Sequence, residues 1–166
     1  MTTAARRVPL LLFAVAAGAF TLDQLSKAWV VASLQGRPSI RVIPGVLSLT
    51  YTTNSGGAFG LGRSAPWIFA GATILVSGAI VLASRRPMGR TTAVALGLIL
   101  GGALGNLADR AFNGPGFGGG VTDFMDLQIW PVFNLADSAI VIGALLLAFA
   151  SFAHDGSDEA RASDPE

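Results

Sequence analysis

Four stretches of this chain are apolar over about the 20 residues a helix needs to cross a bilayer. They run from about Val8 to Val31, Trp67 to Ser84, Thr91 to Ala108 and Val132 to Ala153. Asp23 and Lys27 interrupt the first, and Asn134 and Asp137 the fourth. The connection at 32–66 is too long for a simple turn and calls for structure of its own. Within it, Ile40 to Ile43 and Val46 to Thr53 read as extended, joined by the turn pair Pro44-Gly45. The third span carries Gly97, Gly101 and Gly105 at four-residue spacing, a ridge on which another helix can pack closely. Glycine is also simply common in membrane helices. The predicted fold is an α-helical membrane protein, with four transmembrane helices and a small extracytoplasmic β element between helices one and two.

Composition strengthens the membrane reading. The chain has 166 residues, enough for one domain, and is 52% hydrophobic and only 13% charged. Its net charge of +1 hides an asymmetry, because residues 1–154 hold ten Lys/Arg against five acids and residues 155–166 one Arg against five acids. Residues 1–153 are therefore expected to form the membrane domain, and 154–166 an acidic, disordered cytoplasmic tail. Arg6 and Arg7 before an apolar run also suit a signal peptide, but the apolar pattern continues past any plausible cleavage site. Arg6 and Arg7 flank span one, and Arg85, Arg86 and Arg90 fill the loop between spans two and three. The positive-inside rule puts both groups, and with four spans both termini, in the cytoplasm. Trp29, Trp67 and Trp130 then fall at outer span ends, and Pro66 and Pro131 where helices begin.

The residues that are missing narrow the chemistry. There is no cysteine, one histidine (His154, beside the acidic tail) and one lysine (Lys27). Disulfides, thiolate chemistry and a histidine-based triad or metal site drop out, and no metal or cofactor is expected. The few basic residues are dispersed, so no nucleic-acid partner is expected. Before the tail the acids are five aspartates: Asp23, Asp109, Asp123, Asp126 and Asp137. The topology collects all five at the outer face, with Asn54, Asp123 and Asp126 in outer loops. Ionisable groups at membrane depth are costly and usually functional. Asp137 lies six residues past Pro131, about 9 Å of helix, just below the headgroups.

Plainer roles exist for each. Asp23 and Lys27, four apart with the acid first, suit a helical ion pair. Asn134 and Asp137 suit a capping pair. Arg110 can meet Asn106 one turn earlier as a structural clamp, and Asp126 reads as a solvated loop acid. Separate roles for all of them on one face are a poorer account than a shared site. The chemistry open to such a site is that of two aspartates sharing a proton, one ionised to activate water and one protonated to donate. Asp123, which hangs from the glycine-rich segment GPGFGGG (114–120), can fold back over the bundle towards Asp137.

The segments DQLSKAWV (23–30), TNSGGAF (53–59), GGALGNLADR (101–110), VTDFMDL (121–127) and FNLADSAI (133–140) occur in order along the chain. Together they resemble the signature blocks of lipoprotein signal peptidase, the bacterial type II signal peptidase. The resemblance implies an aspartic endopeptidase of the bacterial cytoplasmic (inner) membrane, acting at its extracytoplasmic face as a monomer among membrane lipids. It would cut the signal peptide from lipid-modified prolipoproteins before the lipidated cysteine. The catalytic pair would be Asp123 and Asp137. Asn54, Asn106, Arg110 and Asn134 match pocket positions, and Asp23, Lys27 and Asp109 supporting ones. The 14-residue spacing from Asp123 to Asp137 is shorter than in several relatives. The rivals are a proton-coupled small membrane carrier, which would spread acids through the membrane depth, and a non-enzymatic lipid-binding membrane protein, which would tolerate neutral residues at 123 and 137.

Overall fold

The computed structural model describes residues 3–56 and 66–162, with side chains described over 8–56 and 67–151. Among the described residues four α-helices form: α1 (Thr3–Leu34), α2 (Pro66–Ala83), α3 (Arg90–Phe112) and α4 (Leu135–Ala162). Helix α3 is central and packs on the other three. Its glycines explain why. A Cβ on Gly97 would lie 2.6 Å from the Leu12 carbonyl oxygen, and one on Gly101 would run into that of Ala16. On another face, Gly102 makes the same allowance for the Ala136 carbonyl of α4. The ridge at 97, 101 and 105 is therefore a packing surface for α1, but its third member has a different use. A Cβ at Gly105 would meet the Asp23 carboxylate.

Leu12, Ala16, Ile80, Ala93 and Leu100 form the apolar core between the helices. Large apolar side chains also face outward, Leu75, Leu145 and Phe149 each at least 66% exposed. Val8–Leu34 and Arg90–Phe112 are long and apolar enough to cross a membrane. The apolar parts of α2 and α4, Trp67–Ala83 and Leu135–Ser151, are shorter.

The β element forms where the sequence places it, as β1 (Ile40–Ile43) and β2 (Leu47–Asn54), with Gly45 at φ 74° in the turn between them. A third strand, β3 (Val121–Asp126), pairs antiparallel with β2 to complete a sheet of order β1-β2-β3. Residues 121–126, Asp123 among them, are thus strand and not the outer loop the sequence suggested, and Asn54 likewise ends a strand. The first four residues of β3 are all buried, so it shows no alternation of apolar and polar positions, and its partner lies some 70 residues earlier in the chain. Phe124 seats the sheet on Val30 and Leu34 at the end of α1.

Helix boundaries differ from expectation at instructive places. Pro66 opens α2 as expected, but Pro131 does not open α4. Phe133 is instead held in an antiparallel bridge to Met125, with its N–H and carbonyl both engaged. Asp137 therefore lies in the first turn of α4 rather than 9 Å along a helix. At the other end α4 continues to Ala162, through most of the segment expected to be disordered; propagating an existing helix is cheap, and Glu159-Ala160-Arg161-Ala162 are good helix formers. Residues 163–166 of the tail, and 57–59 of the TNSGGAF segment, lie outside the described residues, as do the side chains of Arg6, Arg7 and His154.

Candidate active site

Asp137 is positioned by the start of its own helix. Asn134 is the N-cap of α4: its Oδ1 accepts the Asp137 N–H at 2.9 Å, and Asp137 Oδ2 accepts the Asn134 N–H at 3.3 Å. This reciprocal box satisfies two orphan donors, and a carboxylate at a helix N-terminus is favoured by the helix dipole. Asp137 Oδ1 accepts a bond from Asn106 Nδ2 at 2.8 Å, across from α3.

Asp123 reaches the same asparagine from β3. Its Oδ1 accepts Asn134 Nδ2 at 2.6 Å, and its Oδ2 accepts Asn54 Nδ2 at 3.1 Å. In the sheet register Thr52 faces Asp123 and Val121 faces Asn54, so Asn54 and Asp123 are diagonal neighbours on one face. Asp123 is 2% exposed. Burial pushes its carboxyl up to about 6, with the nearby charge of Asp137 adding to the rise and the Asn54 and Asn134 amides opposing it.

Beneath this pair sits a buried ionic cluster. Lys27 Nζ lies 2.8 Å from Asp23 Oδ2 and 3.0 Å from Asp109 Oδ2, and donates to Asn106 Oδ1 at 3.0 Å. The expected ion pair of Asp23 and Lys27 is present, widened to include Asp109. Asp23 Oδ1 also accepts the Ala136 N–H at 2.9 Å, capping α4 from α1. Asp109 Oδ2 accepts the Thr122 N–H at 2.9 Å, tying α3 to β3. Charges buried this deeply persist only when fully partnered, and here the partners come from α1, α3, α4 and β3. Arg110 does not meet Asn106 as the sequence suggested. Its Nη2 donates to the Gly56 carbonyl at 2.8 Å, and its guanidinium lies 5.4 Å from the Phe69 ring centroid. Its buried Nη1 has no hydrogen-bond partner among the described residues.

Asp123 and Asp137 open on a cavity of about 430 Å³ whose polar wall also holds Asn54, Asn106 and Arg110. Phe69 and Ala72 of α2 and Val141 of α4 supply an apolar wall. Asp126 is absent from the lining; its Oδ1 accepts the N–H of Gln128 at 2.8 Å. Among the described residues, no group of three or more His, Asp or Glu is arranged to hold a metal ion.

Residues 15–153 match the family described as signal peptidase (SPase) II. The chain belongs to the signal peptidase II family. A lipoprotein signal peptidase of Syntrophomonas wolfei is 51% identical over 127 residues, covering 76% of this chain and 82% of that protein. One of Streptomyces griseus is 46% identical, covering 89% of this chain and 76% of its own length. A solved bacterial membrane enzyme, determined by the in meso method at 2.3 Å resolution, superposes with a TM-score of 0.77 at 29% identity, covering 93% of each chain. The chain is accordingly a bacterial membrane protein and an aspartic peptidase of the signal peptidase II type.

Most residues singled out from the signal peptidase II blocks therefore meet around one cavity, with Asp23, Lys27 and Asp109 behind it. Sequence reasoning passed over three contributors. Gln24 donates to Asp23 at 3.1 Å and to the Gly105 carbonyl at 3.2 Å, and Gly56 gives its N–H to Asn54 Oδ1 at 3.0 Å. Both stand inside quoted blocks, which was the available signal. Phe69, on an apolar helix face, carried none.

Proposed function

We propose that Asp123 and Asp137 are the catalytic pair with which this peptidase removes signal peptides from diacylglyceryl-modified prolipoproteins, cutting before the lipidated cysteine. The observation that carries the assignment is their meeting through Asn134 at the wall of one cavity, while Asp126 stays outside it. The ionised member takes a proton from water, and the water oxygen attacks the scissile carbonyl carbon. The protonated member donates to the carbonyl oxygen and then gives its proton to the departing amine. Arg110 Nη1, buried beside the cavity and unpartnered among the described residues, can donate to a substrate carbonyl.

All four helices span the membrane in this reading, with both termini cytoplasmic and the site at the outer face. The 17 apolar residues of α2 reach about 26 Å at 1.5 Å per residue, close to the hydrocarbon thickness. Substrate enters sideways between α2 and α4, which both wall the cavity and each pack on α3. Its acyl chains stay among lipids while the peptide bond reaches the aspartates. The gathering of Asp23, Asp109, Asp123 and Asp137 at one end of the bundle speaks against a carrier.

The test compares wild type with D123N, D137N and D126N on a purified diacylglyceryl-prolipoprotein, at matched amounts of folded enzyme. D123N and D137N should lose cleavage by at least about a thousandfold, and D126N should retain it. Activity in D123N with loss in D126N would move the strand acid to 126. Cleavage by all three would end the dyad reading.

A further inference from the structure

Three asparagine amides surround the aspartate pair, and all three turn their NH2 group towards a carboxylate. An amide can rotate by half a turn at little cost unless a neighbour distinguishes its oxygen from its nitrogen. Here each oxygen is held by a group that can only donate. Asn54 Oδ1 accepts the Gly56 N–H, and Asn134 Oδ1 the Asp137 N–H. Asn106 Oδ1 accepts from the Lys27 ammonium at 3.0 Å, and from Asn134 Nδ2 at 3.1 Å. Two of the three clamps are backbone. The third is made by two side chains, the Asn134 amide and the charged Lys27, which is 3% exposed and has no route to solvent as an alternative partner.

We propose that Lys27 is a positioning residue of the cleavage reaction, holding the Asn106 amide so that its N–H, and not its carbonyl, faces Asp137. This rests on the reading of Asp123 and Asp137 as the catalytic pair. With the ammonium in place, a flipped Asn106 would set donor against donor at Lys27 and acceptor against acceptor at Asp137. Without it, Asn134 Nδ2 is the one donor left at Asn106 Oδ1, the flip costs less, and an amide oxygen at Asp137 is satisfied only by a protonated carboxyl. The pair then holds its proton to higher pH, and the ionised base needed to activate water is scarcer. Among the described residues, the other charged groups around this contact are Asp23 on α1, Asp109 and Arg110 on α3 and Asp123 on β3; α2 contributes none.

The experiment measures cleavage of a diacylglyceryl-prolipoprotein from pH 4.5 to 9 by K27M, K27R, N106L and the double variant K27M/N106L, each normalised to folded enzyme. K27M should lower kcat by about tenfold with KM within about twofold, and move the acid limb to higher pH. K27R, still a donor only, should keep the wild-type profile. Adding K27M to N106L should cost little more than N106L alone, because the effect passes through the amide. Should K27M not fold with Asp23 and Asp109 left unpaired, K27Q takes its place, since it keeps a donor for those acids while offering Asn106 a carbonyl. An unshifted profile, or a loss that adds in full to that of N106L, would show that Lys27 is only a structural counter-ion. D137N separates the two claims: if it still cuts, the dyad reading fails, and if it is dead while the Lys27 variants keep the wild-type profile, only the role of Lys27 fails.

Discussion

A carboxyl withdrawn from water is destabilised in its ionised form, and Asp123 carries that cost in the resting protein. Its value rises from 3.8 to about 6, so between these pH values the folded chain binds a proton that the unfolded chain has released. The stability Asp123 contributes is complete below about pH 4 and is lost as the pH rises through 6. Replacing it with asparagine removes that loss. The thermal midpoint of D123N minus that of wild type should therefore increase by several degrees between pH 4 and pH 7.5, in the same detergent. A difference that does not change with pH would mean that Asp123 titrates normally. At this scale the sequence was readable for residue type and less so for partner. Asp123 was preferred to Asp126 on the resemblance alone, since two acids three positions apart in a loop carry no geometric reason to separate them. On a strand, residues three apart point to opposite faces, and that parity takes one into the cavity and leaves the other at Gln128.

Helices were legible because an apolar run of membrane length is a local property, and the hairpin of β1 and β2 because its turn lies between adjacent segments. The strand β3 was not legible, since what makes it a strand is a partner far away in sequence. Pro131 misled for a related reason: the residues after it are drawn into the bridge with Met125 before a helix can start. The glycine spacing in α3 was read correctly as a close-packing surface, yet only the structure separates its members. Ala at Gly105 would press on the Asp23 carboxylate and disturb the cap it supplies to α4, costing about 2 kcal/mol and reducing cleavage. Ala at Gly71 in α2, where nothing lies within 4 Å, should instead stabilise by about 0.5–1 kcal/mol with activity unchanged. Thermal unfolding of the two variants side by side checks both signs, and equal effects would dismiss the packing argument.

For the molecule as a whole, charge and span order led to one end of a bundle, and the described contacts bring the selected polar residues together there. The bonds between near neighbours in sequence, Asp23 with Lys27 and Asn134 with Asp137, were legible; those between elements were out of reach, because side-chain orientation there depends on neighbours from four different elements. The proposed orientation in the membrane has a direct check, helped by the absence of native cysteine. Arg41 and Arg86 are both exposed. In intact cells an impermeant maleimide should label R41C and not R86C, with R86C reacting only after lysis. The reverse pattern would invert the topology, and labelling of both in intact cells would require a different number of spans.

The short chain between Asp123 and Asp137 is closed on itself by the bridge of Met125 to Phe133, and then by the asparagine that caps α4. The two carboxylates are thus mounted on a single clip rather than on independently moving rods. When a thicker or thinner bilayer tilts the helices, the clip is carried along as a body and the gap between the acids is preserved. What tilting does alter is the wall that α2 contributes, so a change of lipid should act on how readily substrate is admitted more than on how fast the bond is cut.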